Sequence, residues 1–152
     1  MGVGHVPQEP IRAASARTQF QGSQRRRTSS SRSVTAAARK ARGKWAEDLV
    51  ARWYESHGYR LVVRNWSCPR GELDVVAIYD GVLIVCEVKA RSSVAFGTPA
   101  EAVTATKQLR LRRATAALLA ELHANQSLKI NRVRFDVGCV LGTQLEMLID
   151  AF

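Results

Sequence analysis

The chain has 152 residues, a formal net charge of +10 and an apolar fraction of 46%, which is ordinary for one globular domain. Residues 1–42 hold nine Lys or Arg against the lone Glu9, whereas the remainder holds fourteen against twelve Asp or Glu, so the positive excess is concentrated at the N-terminal end. The N-terminus lacks the continuous apolar stretch of a secretory signal and no later segment is apolar for long enough to span a bilayer, so a cytoplasmic location with no membrane partner is expected. Cys68, Cys86 and Cys139 are odd in number and widely spaced, without CxxC or partnered histidines. Neither a disulfide framework nor a zinc site is suggested by this pattern, and reduced thiols are expected.

In chain order, residues 1–38 are rich in Arg, Ser, Gln and Ala and poor in large apolar side chains, which predicts a disordered basic tail ahead of a domain at 39–152. From about Ala38 a helical stripe runs through Ala46, Leu49, Val50, Trp53 and His57, with Gly58 placed to end it. His57 and His123 fall near predicted helix ends, where an imidazole meets the last carbonyls or faces water. YRLVVRNW reads as a strand, CPRG as a turn, LDVVAIY as a second strand and VLIVCEVK as a third, the last two joined at Asp80-Gly81. Thr98-Pro99-Ala100-Glu101 has a capping-box pattern with proline at the first helical position, which opens a second helix through about Leu122. VRFDVGCVL and QLEMLIDAF read as final strands. The order is αβββαββ, an α/β fold with a mixed β-sheet flanked by helices.

A two-residue Asp-Gly turn pairs Tyr79 with Val82 and so sets the register of the whole hairpin. Counting outward, Val76 faces Val85, Asp74 faces Glu87 and Glu72 faces Lys89, all on one side of the sheet. Opposed carboxylates repel unless neutralised. A hard divalent cation such as Mg²⁺ fits that need, since it takes carboxylate and carbonyl oxygens and keeps waters for chemistry. Lys89, two residues beyond Glu87, is placed to orient or deprotonate an attacking water, or to stabilise charge on a phosphate. The plainer reading stays open beside it: Lys89 pairs with Glu72 and the acids are merely solvated.

GKWAEDLVARWYESHGYRLVVRNW, GELDVVA, EVKAR, FGTPAEAV, KQLRLRRA and RFDV together resemble the small bacterial YraN-like proteins, uncharacterised members of the PD-(D/E)XK restriction-endonuclease-like superfamily. The resemblance runs from about Arg39 to Ile149 and implies a restriction-endonuclease-like αβββαβ core. It implies that Asp74 and Glu87 bind Mg²⁺ or Mn²⁺, that the Val88 carbonyl is another ligand, and that Lys89 is the catalytic lysine. Glu47 matches the acid of the first helix, although as a residue on the flank of the apolar stripe it is equally a solvated helical acid. Gln108 resembles a glutamine of the second helix that helps order the site in resolvase-like relatives. Leu73 stands where the motif has proline. Glu72 is read as a salt-bridge partner that orients Lys89 ahead of a role as an outer acid.

Lys107, Arg110, Arg112 and Arg113 follow the site and, with the basic tail, point to nucleic acid as the partner, DNA ahead of RNA, with a homodimer as the candidate assembly. No base-reading motif is present, so recognition by structure is expected over recognition by sequence. Trp45, Trp53, Tyr54 and Trp66 are candidate stacking surfaces, though aromatics at such positions are usually core. Three functions remain at this level: a metal-dependent nuclease, a non-catalytic nucleic-acid-binding protein of the same fold, and a protein-interaction scaffold.

Overall fold

A computed structural model describes residues 29–91, 103–125 and 128–152 of the chain. Its elements are α1 (Ser29–Ser56), β1 (Arg60–Cys68), β2 (Gly71–Tyr79), β3 (Val82–Arg91), α2 (Ala105–Ala124), β4 (Arg132–Leu141) and β5 (Gln144–Leu148). The five strands form one sheet in the order β1-β2-β3-β4-β5. β1, β2 and β3 pair antiparallel, β3 and β4 pair parallel with α2 as the crossover, and β5 returns antiparallel on β4. This is the mixed α/β sheet that the αβββαββ order predicts.

α1 and α2 pack on opposite faces because the central strands are apolar on both sides. Ala46, Val50 and Tyr54 of α1 bury against Val75, Ala77, Ile84, Cys86 and Val140. Leu111, Ala114 and Leu118 of α2 bury against Leu73, Val76, Leu83, Val85, Phe135 and Val137. Each fully buried large aliphatic side chain contributes on the order of 1.5–3 kcal/mol. The α1 layer sits close to the sheet: a Cβ on Gly138 of β4 would lie 2.7 Å from Val50 Cγ2. His57 falls outside this layer, stacked on the Trp53 ring at 4.0 Å and with Nδ1 2.7 Å from the Trp53 carbonyl oxygen, as its place at a helix end predicts.

The Asp80-Gly81 hairpin has the predicted register, from Tyr79↔Val82 to Val75↔Cys86. Both turn residues have positive φ, 47° and 73°, as a type I′ turn requires.

Three boundaries differ by more than two residues from those expected. α1 begins at Ser29, so the first ten of its residues lie inside the segment expected to be a disordered tail. The side chains of residues 34–42 are all exposed, and Ala36, Ala37, Ala38, Arg39, Lys40 and Ala41 are strong helix formers that extend a helix anchored by packing further on. Residues 1–28 lie outside the described residues. α2 begins at Ala105, later than the capping-box pattern predicts: Thr104 is extended and caps the helix, its Oγ1 accepting the Lys107 N–H at 3.3 Å, and Val103 before it is buried in the core. Thr98–Glu101 lies outside the described residues. β5 ends at Leu148 instead of running to Phe152, because Asp150 takes a left-handed conformation (φ 53°). The Ala151 N–H then donates to the Phe135 carbonyl at 2.7 Å, and the Phe152 ring stacks on Phe135 at 5.2 Å.

Candidate active site

The hairpin ladder stops at Val75↔Cys86, one step short of the predicted Asp74–Glu87 pair. Asn65 on β1 has φ 50°, and Leu73 packs on the α2 face with Val76 and Ile78, whereas strict alternation from Val75 and Ala77 would put it under α1. The period of two therefore breaks at Asp74. Its carboxylate is released from the alternating pattern and turned toward β3, where Oδ2 accepts the Val88 N–H at 2.8 Å. The hairpin register, continued, would have brought Val88 opposite Leu73, so a side-chain oxygen stands in for a β2 backbone acceptor. A strand residue points its N–H and C=O to the same edge, which turns the Val88 carbonyl toward the same opening.

Glu87 keeps the α2-facing parity of Leu83 and Val85 and is 3% exposed. A carboxylate this deep needs counter-charge. Lys89 Nζ donates to Oε1 at 2.6 Å, and Lys107 Nζ from the first turn of α2 lies 2.9 Å from Oε2. The second contact is an ion pair without hydrogen-bond alignment, so Oε2 is buried without a hydrogen-bond donor among the described residues. Asp74 titrates above the usual carboxylate range, pushed up to about 6 by burial first and by the Glu87 charge second, with the Val88 amide and Lys107 acting the other way.

Glu47, half-buried on α1, lies near enough to Asp74 to raise its pKa further, and its Oε2 accepts from Asn65 Nδ2 at 2.9 Å. Gln108 is directed elsewhere: its Nε2 donates to the Val103 carbonyl at 3.2 Å, which ties the segment entering α2 to the helix. Lys89 pairs with Glu87 and not with Glu72, which is exposed, so the expected Glu72–Lys89 bridge is absent from the structure. Parting of the strands removes the opposition on which that bridge depended. Among the described residues no three of His, Cys, Asp and Glu gather closely enough to hold a metal by themselves.

The basic run of α2 divides by helical geometry. Lys107 belongs to the Glu87 pair, and Arg110, one turn on, lines a cleft with it beside Ser67, Cys68, Gly71 and Glu72. Arg112 faces away and covers the Phe135 and Phe152 rings at 4.8 and 5.6 Å from their centroids, a cation–π contact beside β4. Arg113 is exposed.

A second buried carboxylate, Asp136 on β4, does not stand out in the sequence. It is 0% exposed and fully partnered: Arg134 Nε and Nη2 donate to its two oxygens at 2.9 and 2.8 Å, Tyr54 Oη donates at 2.7 Å and the Asp150 N–H at 2.9 Å. The i, i+2 spacing of Arg134 and Asp136 on a strand is the available signal. Burial and the adjacent carboxylate push the Tyr54 hydroxyl far above its ordinary pKa, while Asp136 raises that of Arg134, so the group is a fixed structural knot that pins α1 to β4.

Residues 46–140, which hold Glu47, Asp74, Glu87, Val88, Lys89 and Lys107, match the uncharacterised protein family UPF0102. A UPF0102 protein of Beutenbergia cavernae is 49% identical over 107 residues, covering 70% of this chain and 87% of its own length. One from Acidothermus cellulolyticus is 41% identical over 130 residues, covering 78% and 98%, and one from Nocardia farcinica is 44% identical over 105 residues, covering 69% and 80%. No helix among the described residues is long and apolar enough to cross a membrane. With most of its length aligned at this level of identity, the chain belongs to the UPF0102 family.

Proposed function

We propose that the protein is a metal-dependent nuclease that hydrolyses phosphodiester bonds in DNA or structured RNA and selects its substrate by structure. The observation that carries this reading is the opening between β2 and β3, where Asp74, Glu87, the Val88 carbonyl and Lys89 converge at a break in an otherwise regular ladder. The donor set fits Mg²⁺ or Mn²⁺: two carboxylates and one carbonyl are hard oxygens, and Mg²⁺ ordinarily takes one or two carboxylates with water and phosphate filling the rest. Glu87 Oε2, paired with Lys107 by charge but accepting no aligned hydrogen bond, keeps lone pairs for the same ion. Asp74, Glu87 and the Val88 carbonyl would hold the ion, whose contribution when bound is to polarise the phosphoryl oxygen. Lys89 orients the water that attacks phosphorus and stabilises the charge that develops as the bond to the leaving sugar oxygen breaks. Lys107 and Arg110 anchor flanking phosphates from α2, and Glu47, through Asn65, holds β1 against α1 beside the site.

Incubating the pure protein with duplex, branched and single-stranded DNA and RNA under single-turnover conditions, with Mg²⁺, Mn²⁺ or chelator, tests the reading. Cleavage that needs metal and is lost in Glu87→Gln is expected. Binding without cleavage across the panel would refute it and favour a non-catalytic nucleic-acid-binding protein. One observation speaks for that second reading: two lysines already balance Glu87 without an ion.

A further inference from the structure

Lys107 stands where its helix would favour an acid. It is the third residue of α2, and Thr104 caps the helix by accepting the Lys107 N–H on Oγ1. Capping boxes place Glu or Gln at that position, and the positive end of the helix dipole repels an ammonium there. The stability of α2 therefore does not account for the lysine, whereas the buried Glu87 does. The two lysines on Glu87 are held unequally. Lys89 Nζ makes an aligned hydrogen bond to Oε1 at 2.6 Å, while Lys107 Nζ meets Oε2 at 2.9 Å by charge alone. Oε2 is thus the oxygen that can change partner.

Lys107 is half-buried and also lines a cleft of about 330 Å³ with Arg110, Ser67, Cys68, Gly71 and Glu72. The β1–β2 turn presses on α2 here, since a Cβ on Gly71 would lie 3.3 Å from the Arg110 carbonyl oxygen. Glu72, the acid of that lining, is exposed, so water screens its charge. One side chain therefore borders both the Glu87 carboxylate and a cleft that carries a second cation, Arg110.

We infer that Lys107 is the exchangeable counter-cation of the site. It neutralises Glu87 until Oε2 is taken by the divalent ion, and the displaced ammonium then joins Arg110 in the cleft to hold a phosphate of the nucleic acid. The inference rests on the nuclease reading for its metal and its substrate, and deepens it by naming the residue that couples the two. The exchange follows from burial and charge. At 3% exposure Glu87 cannot shed a counter-charge without a replacement, so Lys107 stays on it and is withheld from phosphate while no ion competes. With a divalent ion on Oε2, Glu87 keeps its counter-charge and Lys107 is repelled from the oxygen that it held. Lys89, bonded to Oε1, keeps its place. Each ligand favours the arrangement that the other needs, and the coupling is reciprocal.

Two measurements on the full-length protein test it, the first without nucleic acid. An amine-acylating reagent is applied in chelator and in millimolar Mg²⁺, and peptide mass spectrometry reads each lysine. Lys107 should react at least about fivefold faster with the ion, the lower end of ordinary coupling between sites. The exposed Lys40, Lys44 and Lys129 should keep their rates. The second measurement follows binding of a labelled DNA duplex with a single-stranded overhang across a salt series. It is made in chelator and in Ca²⁺, which takes the same hard oxygens, on DNA that gels show to be intact. Lys107→Gln, whose glutamine suits the capping position, should lower the slope of log affinity against log salt by about 0.7–0.9 in Ca²⁺ and leave it unchanged in chelator. Arg110→Gln should lower it in both. Equal acylation of Lys107 with and without the ion overturns the exchange. So does a Lys107→Gln slope change that is the same in both conditions, which would mark a fixed phosphate anchor, or that is absent from both; if the variant does not fold, acylation of the wild type decides. Metal-dependent cleavage with Lys107 reactivity unmoved would sink the exchange alone. An ion-dependent rise in Lys107 reactivity with no cleavage in any metal would sink the nuclease reading and leave the exchange on Glu87 standing.

Discussion

Asp74 shows how one side chain couples site chemistry to stability. Its folded pKa of about 6 lies above the 3.8 of an unperturbed aspartate, so between these values the folded state holds the proton more tightly than the unfolded chain. Stability is therefore greatest below about pH 4 as far as this group is concerned, and it falls as pH rises through 6, by roughly 2–3 kcal/mol for a shift of this size. Asp74→Asn keeps an oxygen for the Val88 N–H and cannot ionise. Without metal it should melt higher than wild type at pH 8 and at nearly the same temperature at pH 4; parallel melting curves across that range would show that Asp74 is not strained. Added Mg²⁺ or Mn²⁺ should raise the wild-type melting temperature at pH 8 and leave the Asp74→Asn/Glu87→Gln double variant unchanged, with calorimetry giving the same contrast. Identical null titrations would rule out a metal site between these acids. Lys89→Ala should reduce metal-dependent cleavage far more than nucleic-acid affinity, because the lysine is proposed to act at the phosphate under attack. Equal losses in single-turnover rate and affinity would mark it as a phosphate anchor instead.

At the scale of elements, α1 carries Glu47 toward the site, and two close contacts with β4 add to its packing on β2 and β3. One is the Tyr54–Asp136 hydrogen bond, made by a buried hydroxyl to a buried carboxylate. Tyr54→Phe removes a donor from Asp136 and should cost on the order of 1.5–3 kcal/mol, read from urea unfolding at unchanged m-value. The other is the close approach at Gly138, where an alanine Cβ would meet Val50 Cγ2 at 2.7 Å and force the helix outward. Gly138→Ala should destabilise by about 1–3 kcal/mol, and combining it with Val50→Ala, which makes room for the methyl, should cost less than the sum of the two. Strict additivity would show that the helix moves freely there.

For the whole molecule, the charge asymmetry is the main property that acts beyond the site. Deleting residues 1–38 removes Arg12, Arg17, Arg25, Arg26, Arg27 and Arg32 with Glu9, and the side chains described just beyond, up to residue 42, are exposed. The truncated protein should therefore keep its melting temperature while binding nucleic acid more weakly. The log-affinity against log-salt slope should fall by about 0.7–0.9 for each phosphate that these arginines no longer neutralise. Superimposable salt series for the two forms would show that the segment touches no phosphate, and a loss of folding would show that the domain needs it.

Local pattern is enough to read the strand order, the Asp80-Gly81 register and the apolar stripe of α1, because turn chemistry and periodicity are properties of neighbouring residues. It also brings Asp74, Glu87 and Lys89 to one end of one hairpin. The geometry of that end is a tertiary matter. Alternation predicts Asp74 opposite Glu87 and Lys89 opposite Glu72, but the left-handed Asn65 and the turned Asp74 carboxylate part the strands. Lys107, distant along the chain and on another element, then becomes a counter-charge for Glu87. The start of α1 escapes a pattern-based reading for the opposite reason: an exposed helix of alanine and arginine carries no apolar stripe, so propensity alone extends it. Asp136 and Trp45 are legible as residues but not in their surroundings. Whether a buried acid is satisfied, or an indole left half in water, depends on which side chains distant in sequence arrive beside it, and only packing decides that.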